Sequence, residues 1–211
     1  MLTSNEILIE HLIWTEVLKS PRIIEALKKI DRKYFVPESL NEYIYNDAPL
    51  PIGKDQTISQ PTTVAIMLEL LDAKEGDSVL DIGSGSGWTT AVLGFIVGQD
   101  GHVTGLERID ALVDQGQKNL KQFTFKHVDI LHNGEELGLP GKTFDVILVS
   151  ASAPEIPYQL LDQLNIGGTL VIPVRNSIFR FKKLSSTEIQ KEEYPGFVFV
   201  PLIYGGSYAR T

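Results

Sequence analysis

One segment constrains what this chain can fold into more than any other: Val79-Leu80-Asp81-Ile82-Gly83-Ser84-Gly85-Ser86-Gly87-Trp88. An apolar strand runs straight into alternating glycines and then into a helical pattern. Glycines at such a junction take left-handed backbone conformations and let a ligand press against bare amides at a helix N-terminus. A nucleoside-bearing cofactor is the natural occupant. The dinucleotide fingerprint G-x-G-x-x-G requires a further glycine where Trp88 stands, counting from Gly83, or where Thr90 stands, counting from Gly85. A pyrophosphate-binding, nicotinamide-dependent reading is weakened accordingly.

Around this junction the chain alternates. Pro61 can open a helix through Val64, Met67, Leu68 and Leu71, and the turn Glu75-Gly76-Asp77 leads into the strand Ser78 to Ile82. Further strands are predicted at His102 to Leu106, Phe125 to Ile130, Phe144 to Ser150 and Thr169 to Val174, with a last one from Phe197 to Ile203. Helical patterns lie between them at Thr89 to Val97, Asp110 to Phe123 and Ile156 to Leu164. Strands separated by helices of this length imply a parallel sheet covered on both faces. The expected fold class is α/β, a doubly wound Rossmann-like sheet with helices on both faces.

The chain before Pro61 reads differently. An amphipathic helix spans about Asn5 to Lys19, and a second starts at Ser20, where Ser20 suits the N-cap and Pro21 the first helical position. The proline-rich stretch Ala48 to Gly53 is expected to break regular structure. Residues 1–60 are therefore a helical N-terminal element packing on a domain formed by 61–211.

Composition narrows the chemistry. The 211 residues contain no cysteine, which excludes a disulfide framework, a thiol nucleophile and thiolate-bound metals, and only four scattered histidines. No metal is expected. Nineteen basic against twenty-seven acidic residues give a net charge of −8, whereas binding a phosphate backbone calls for concentrated basic surface. Nucleic acid is a disfavoured partner. No apolar run approaches the roughly 20 residues of a membrane span, and the N-terminus, with early Glu6 and Glu10, lacks the pattern of a leader. A soluble, cytoplasmic protein with no membrane partner is the expectation.

Downstream of the glycines, Glu107 ends the next strand, where a carboxylate can accept both hydroxyls of a ribose, a role common to several nucleoside-cofactor sites. Arg108 follows it. After the third predicted strand come Asp129 and then Asn133-Gly134. Either polar side chain could contact adenine, and position favours Asn133.

The loop Asp81-Ile82-Gly83-Ser84-Gly85-Ser86-Gly87 resembles the first motif of class I S-adenosylmethionine-dependent methyltransferases, an acidic residue followed by G-x-G-x-G. That sulfonium cofactor carries no phosphate, so Trp88 is no handicap for it. Other segments are similar to the protein-L-isoaspartate O-methyltransferase family. They are Pro51 to Pro61 with its Thr57-Ile58-Ser59 core, Val149 to Pro157, Gln163 to Val174, and Arg32-Lys33-Tyr34-Phe35-Val36-Pro37. The matches run in order over nearly the whole chain.

The resemblance implies S-adenosylmethionine as cofactor, S-adenosylhomocysteine as product, and damaged proteins or peptides containing isoaspartate as substrates. It places Ser59 as the active-site hydroxyl on a substrate-side loop. It assigns Gln56, Thr57, Ile58, Asp81, Gly83, Ser84, Gly85, Gly87, Glu107, Arg108, Asn133 and Gly134 to the cofactor, and Ala151, Ala153 and Pro154 to the substrate pocket. Three departures stand out. The family commonly has an aromatic–glycine pair at Lys54-Asp55, an aspartate at Asn133, and a glycine at Arg175. A methyltransferase of the same fold with another substrate, and a non-catalytic relative that binds the cofactor, are the alternatives.

Overall fold

A computed structural model describes residues 2–205. Two helices open the chain, α1 (Asn5–Trp14) and α2 (Pro21–Lys29). A hairpin follows, β1 (Leu50–Gly53) and β2 (Gln56–Ile58), then α3 (Pro61–Leu71). The alternating part comprises β3 (Ser78–Ile82), α4 (Trp88–Val97), β4 (His102–Glu107), α5 (Asp110–Leu120), β5 (Val128–His132), β6 (Phe144–Val149), α6 (Tyr158–Asp162) and β7 (Leu164–Val174). Two more strands, β8 (Ser177–Lys183) and β9 (Ile189–Pro195), complete a sheet of order β5-β4-β3-β6-β7-β8-β9.

Side-chain alternation along the strands divides the core into two faces. Val79, Val146, Leu148, Val171 and Ile178 join one apolar cluster, while Leu80, Ile147, Val149, Leu170, Ile172 and Phe179 join the other. A strand buried on both sides must be apolar at nearly every position, and β3 is, apart from Ser78 at its start and Asp81. The first face carries side chains of α1 through α5 (Leu8, Ile23, Val64, Ala91, Leu112); the second carries Leu160 and Leu161 of α6. The doubly wound α/β architecture thus holds, with the helices unequally shared between the faces. Residues of 1–60 and of the alternating part lie in the same cluster.

Several sequence expectations need correction. The first helix stops at Trp14 rather than Lys19, because Thr15 turns its hydroxyl back to the carbonyls of His11 and Leu12 and Glu16 takes a left-handed φ of 60°. Ser20 does stand at the N-cap of α2, but its hydroxyl donates to Glu69 at 2.6 Å instead of capping the helix. The stretch Ala48 to Gly53 is not irregular: it enters the β1–β2 hairpin, with Leu50 paired to Ile58. The predicted strand Phe125 to Ile130 is shifted to Val128–His132, and the helices predicted to end at Phe123 and to span Ile156 to Leu164 are shortened to Asp110–Leu120 and Tyr158–Asp162.

The C-terminal part differs most. Phe197 to Ile203 is not a ladder strand; it makes a single bridge, Pro201 with Ser152. The sheet is extended instead by β8 and β9, which pair antiparallel with β7 and with each other. Their polar content, Arg180, Lys182, Lys183, Glu192 and Glu193, hid them from a search for apolar runs. Among the described residues no helix is long and apolar enough to cross a membrane.

Candidate active site

In an open α/β sheet the crevice outside the carboxyl ends of the strands, where strand order changes direction, is where ligands bind. Here β3 pairs with β4 on one side and with β6 on the other. The glycine loop leaves β3 at that switch point. Gly83, Gly85 and Gly87 take φ of 79°, 54° and 90°, left-handed values that a side chain would strain. The Gly83 and Ser84 amides donate to the Leu106 carbonyl at 2.8 and 3.1 Å, tying the loop to the end of β4.

A cleft opens above this loop. Gly83, Ser84, Gly85, Glu107, Arg108, Asn133 and Ala151 line its sheet side, and Gln56, Thr57, Ile58 and Ser59 line the side formed by β2 and the residue after it. The structure therefore gathers most of the residues singled out in the sequence. Five others lie off the cleft: Asp81, Gly87, Gly134, Ala153 and Pro154. Gly87 begins α4 and faces Gly116, whose backbone lies 3.5 Å from where a Cβ on Gly87 would stand. Ala153 pairs with Val174 instead of opening to the cleft. The segment Val200 to Ile203, read in the sequence only as an apolar strand, forms a wall, and Ile52, Trp88 and Ser150 are among the other lining residues.

Glu107 is 6% exposed, and both its carboxylate oxygens are engaged: Oε2 accepts from the Gly85 amide and Oε1 from the Ile109 amide, each at 3.0 Å. Each oxygen retains a further acceptor site. The Asn133 amide donates to the Glu107 carbonyl at 2.8 Å and so fixes the end of β5 against the end of β4. Asp129, by contrast, stands away from the cleft, 3.7 Å from His102.

Asp81 sits beneath the loop, fully buried. Its Oδ2 accepts from the hydroxyls of Thr89 at 2.8 Å and Thr90 at 2.6 Å, clamping the first turn of α4. Its Oδ1 has no partner among the described residues, and neither does the buried Ser84 hydroxyl. Desolvation pushes the Asp81 carboxyl up to about 6, and the charge on Glu107 adds to the rise; the two threonine hydroxyls oppose it.

The opposite wall hangs on Arg32, which the sequence offered only as part of a matched segment. Its guanidinium, 0% exposed, donates to the carbonyls of Ile44, Asn46, Ala48 and Ser59 at 2.7, 3.3, 3.1 and 3.0 Å. It also lies over the Trp88 ring, 5.4 Å from the centroid, and Trp88 donates its indole N–H to Ile30 at 3.2 Å. Burial lowers Arg32 to about 10, with Asp47 acting in the opposite sense, so it stays charged at neutral pH. Asp47 in turn accepts from the amide and hydroxyl of Thr62 at 2.9 and 2.7 Å, anchoring the same loop to the start of α3.

A family profile described as protein-L-isoaspartate(D-aspartate) O-methyltransferase matches residues 3–206. The chain belongs to that family. Relatives called protein-L-isoaspartate O-methyltransferase include one from Methanopyrus kandleri, 42% identical over 95% of this chain and 91% of that protein. Another, from Thermosipho melanesiensis, is 43% identical over 87% of this chain and 95% of its own length. Among solved structures, a Plasmodium falciparum protein assigned as a protein-L-isoaspartate O-methyltransferase, in complex with S-adenosyl-L-homocysteine, superposes with a TM-score of 0.84. It is 27% identical and the match covers 94% of this chain and 98% of that one.

Membership in the protein-L-isoaspartate O-methyltransferase family throws two of the three departures into relief, the Lys54-Asp55 pair and Arg175. Lys54, Asp55 and Arg175 all hold left-handed φ, of 55°, 57° and 55°. The first two are the central residues of the β1–β2 turn, where a right-twisted hairpin favours positive φ, and Arg175 turns β7 into β8. Glycine is the low-cost residue at such positions, so this chain tolerates strain at all three. Arg175 is held by its own contacts: its amide donates to Ala153 and its Nε to Pro154, at 3.0 and 3.1 Å.

Proposed function

We propose that this chain is a protein-L-isoaspartate O-methyltransferase that esterifies the α-carboxylate of isoaspartyl residues in damaged proteins or peptides, using S-adenosylmethionine. Ser59 facing the glycine loop across one cleft is the observation that carries the reading. Within it, residues 1–60 supply the substrate-side loop and 61–211 hold the cofactor. The setting is cytoplasmic.

The residues present suit the cofactor. Gly83 and Gly85 leave bare backbone, Ser84 lines the cleft and its buried hydroxyl has no partner among the described residues, and Glu107 keeps acceptor capacity for ribose hydroxyls. Asn133 would accept from the adenine amine through its amide oxygen. Bound there, the cofactor supplies an electrophilic sulfonium methyl group.

The substrate carboxylate has a reference pKa near about 4 and is ionised at neutral pH. No general base is needed. The Ser59 hydroxyl has no partner among the described residues, so it is free to donate to that carboxylate and aim one of its oxygens. Catalysis then rests on alignment, an effect that can supply roughly 7–11 kcal/mol. Ser59 acts as an orienting donor, not a nucleophile.

A pair of peptides that differ only in isoaspartate against aspartate tests the reading in a labelled methyl-transfer assay. Labelling of the isoaspartyl peptide alone is expected. Equal labelling of both, or of neither, would sink it.

A further inference from the structure

Asn133-Gly134 is a pair whose chemistry the proposed reaction does not use. An asparagine side chain followed by glycine can be attacked by the next residue's amide. The glycine nitrogen bonds to Cγ, the Cγ–Nδ2 bond breaks, and ammonia leaves with the amide proton. Water then opens the succinimide at either carbonyl, giving aspartate or isoaspartate. The attack requires a free amide, no bulky neighbouring side chain and a backbone able to turn.

Asn133-Gly134 meets all three conditions. The Gly134 amide has no hydrogen-bond partner among the described residues, and a Cβ built on Gly134 meets nothing within 4 Å. The pair follows the end of β5 and lies outside any helix or strand. The Asn133 side chain likewise has no partner among the described residues.

Other labile pairs in the chain are held. At Asp100-Gly101 the glycine amide donates to Gly98 at 3.3 Å, and a Cβ on Gly101 would stand 2.6 Å from Val97, so the backbone there is crowded. At Asn176-Ser177 the serine is paired on both sides, to Val174 and Pro195.

We propose that Asn133-Gly134 is a spontaneous deamidation site through which the cofactor cleft loses affinity with age. Asn133 lines the cleft while its own amide is tied to the Glu107 carbonyl. Isoaspartate at this position adds a methylene to the main chain and removes the side-chain amide. The loop then loses its register against Glu107. The cofactor consequence rests on the reading of the cleft above; the chemical reaction does not.

Purified protein is held in warm, mildly alkaline buffer and its tryptic peptide 127–142 is followed by mass spectrometry. A gain of about 1 Da at Asn133, the exchange of an amide for a carboxyl, is expected to outpace the same gain at Asn176 in the tryptic peptide 176–180. Gly134→Ala should slow it. The deamidated fraction, separated by ion exchange, should bind S-adenosylhomocysteine roughly tenfold more weakly than unaged protein, the loss of one buried hydrogen-bonding group. Saturating S-adenosylhomocysteine should retard the reaction.

Reaction no faster at Asn133 than at Asn176 overturns the proposal, as does equal affinity of the aged and fresh fractions. Fresh protein that does not bind S-adenosylhomocysteine would instead count against the cofactor reading, and the mass measurement would still decide whether the site reacts.

Discussion

Arg32 donates from Nη2 to the carbonyl of Ser59 at 3.0 Å, so a buried cation holds the backbone of the residue that faces the glycine loop. The same guanidinium carries Ile44, Asn46 and Ala48 and rests on Trp88, at the start of the helix that follows the loop. One side chain thus couples both walls of the cleft. Arg32→Met strands these buried carbonyls and should cost about 1–3 kcal/mol of stability for each one left unpaired. Arg32→Lys keeps the charge but not the fork, and is expected to lower kcat more than it weakens S-adenosylhomocysteine binding. Denaturant melts alongside steady-state kinetics check both; a loss confined to cofactor affinity would remove Arg32 from the positioning of Ser59.

Ser59→Ala should leave cofactor affinity nearly intact. Losing a hydrogen bond to a charged group costs about 1.5–3 kcal/mol, or roughly 10–150-fold in turnover. Calorimetry with S-adenosylhomocysteine and a turnover assay separate the two effects, and a collapse of binding would put Ser59 in the cofactor site.

Asp81 gives stability a pH dependence of known sign. Its folded carboxyl is raised to about 6 from the ordinary aspartate value of 3.8, so the folded state holds a proton that the unfolded state releases. Its contribution is fully present below the unfolded value and is lost as pH rises through about 6. Wild type should therefore gain on Asp81→Asn as pH falls from neutral toward 4, by up to roughly 3 kcal/mol. Urea midpoints of both proteins across that range read the difference; parallel curves would show that Asp81 does not titrate there.

Gly116 was invisible in the sequence as a site residue. A Cβ there would stand 2.8 Å from Ile130 and 3.2 Å from the Gly85 carbonyl, so α5 approaches the loop only because this position is bare. Gly116→Val should destabilise the fold by about 1–3 kcal/mol and weaken S-adenosylhomocysteine binding with it. Unchanged affinity in a folded variant would show that the loop shifts freely.

Residues whose role is set by local backbone chemistry were legible in advance. The glycine loop, the acid that ends β4 and the central strands announce themselves through glycine spacing and apolar runs. The antiparallel strands β8 and β9 did not: β9 is a largely exposed edge strand that tolerates charge, and β8, though paired on both sides, carries Arg180, Lys182 and Lys183 along its second half. Arg32 was equally opaque. Nothing in Asp31-Arg32-Lys33 distinguishes a buried guanidinium from its solvated neighbour, and only the three-dimensional meeting of four carbonyls does. The hairpin was missed because prolines at 49 and 51 suggested a broken chain, whereas β1 is an edge strand that can accommodate them.

The wall formed by Val200 to Ile203 has a further consequence. It reaches the cleft through a bridge to Ser152, with the Ser152 amide donating to Val200 and the Leu202 amide to Ser152, each at 2.8 Å. Ser59 and the glycine loop emerge from the ribosome long before this wall exists. A growing chain therefore presents a half-built crevice, open along one side, until Val200 to Ile203 are free to close it.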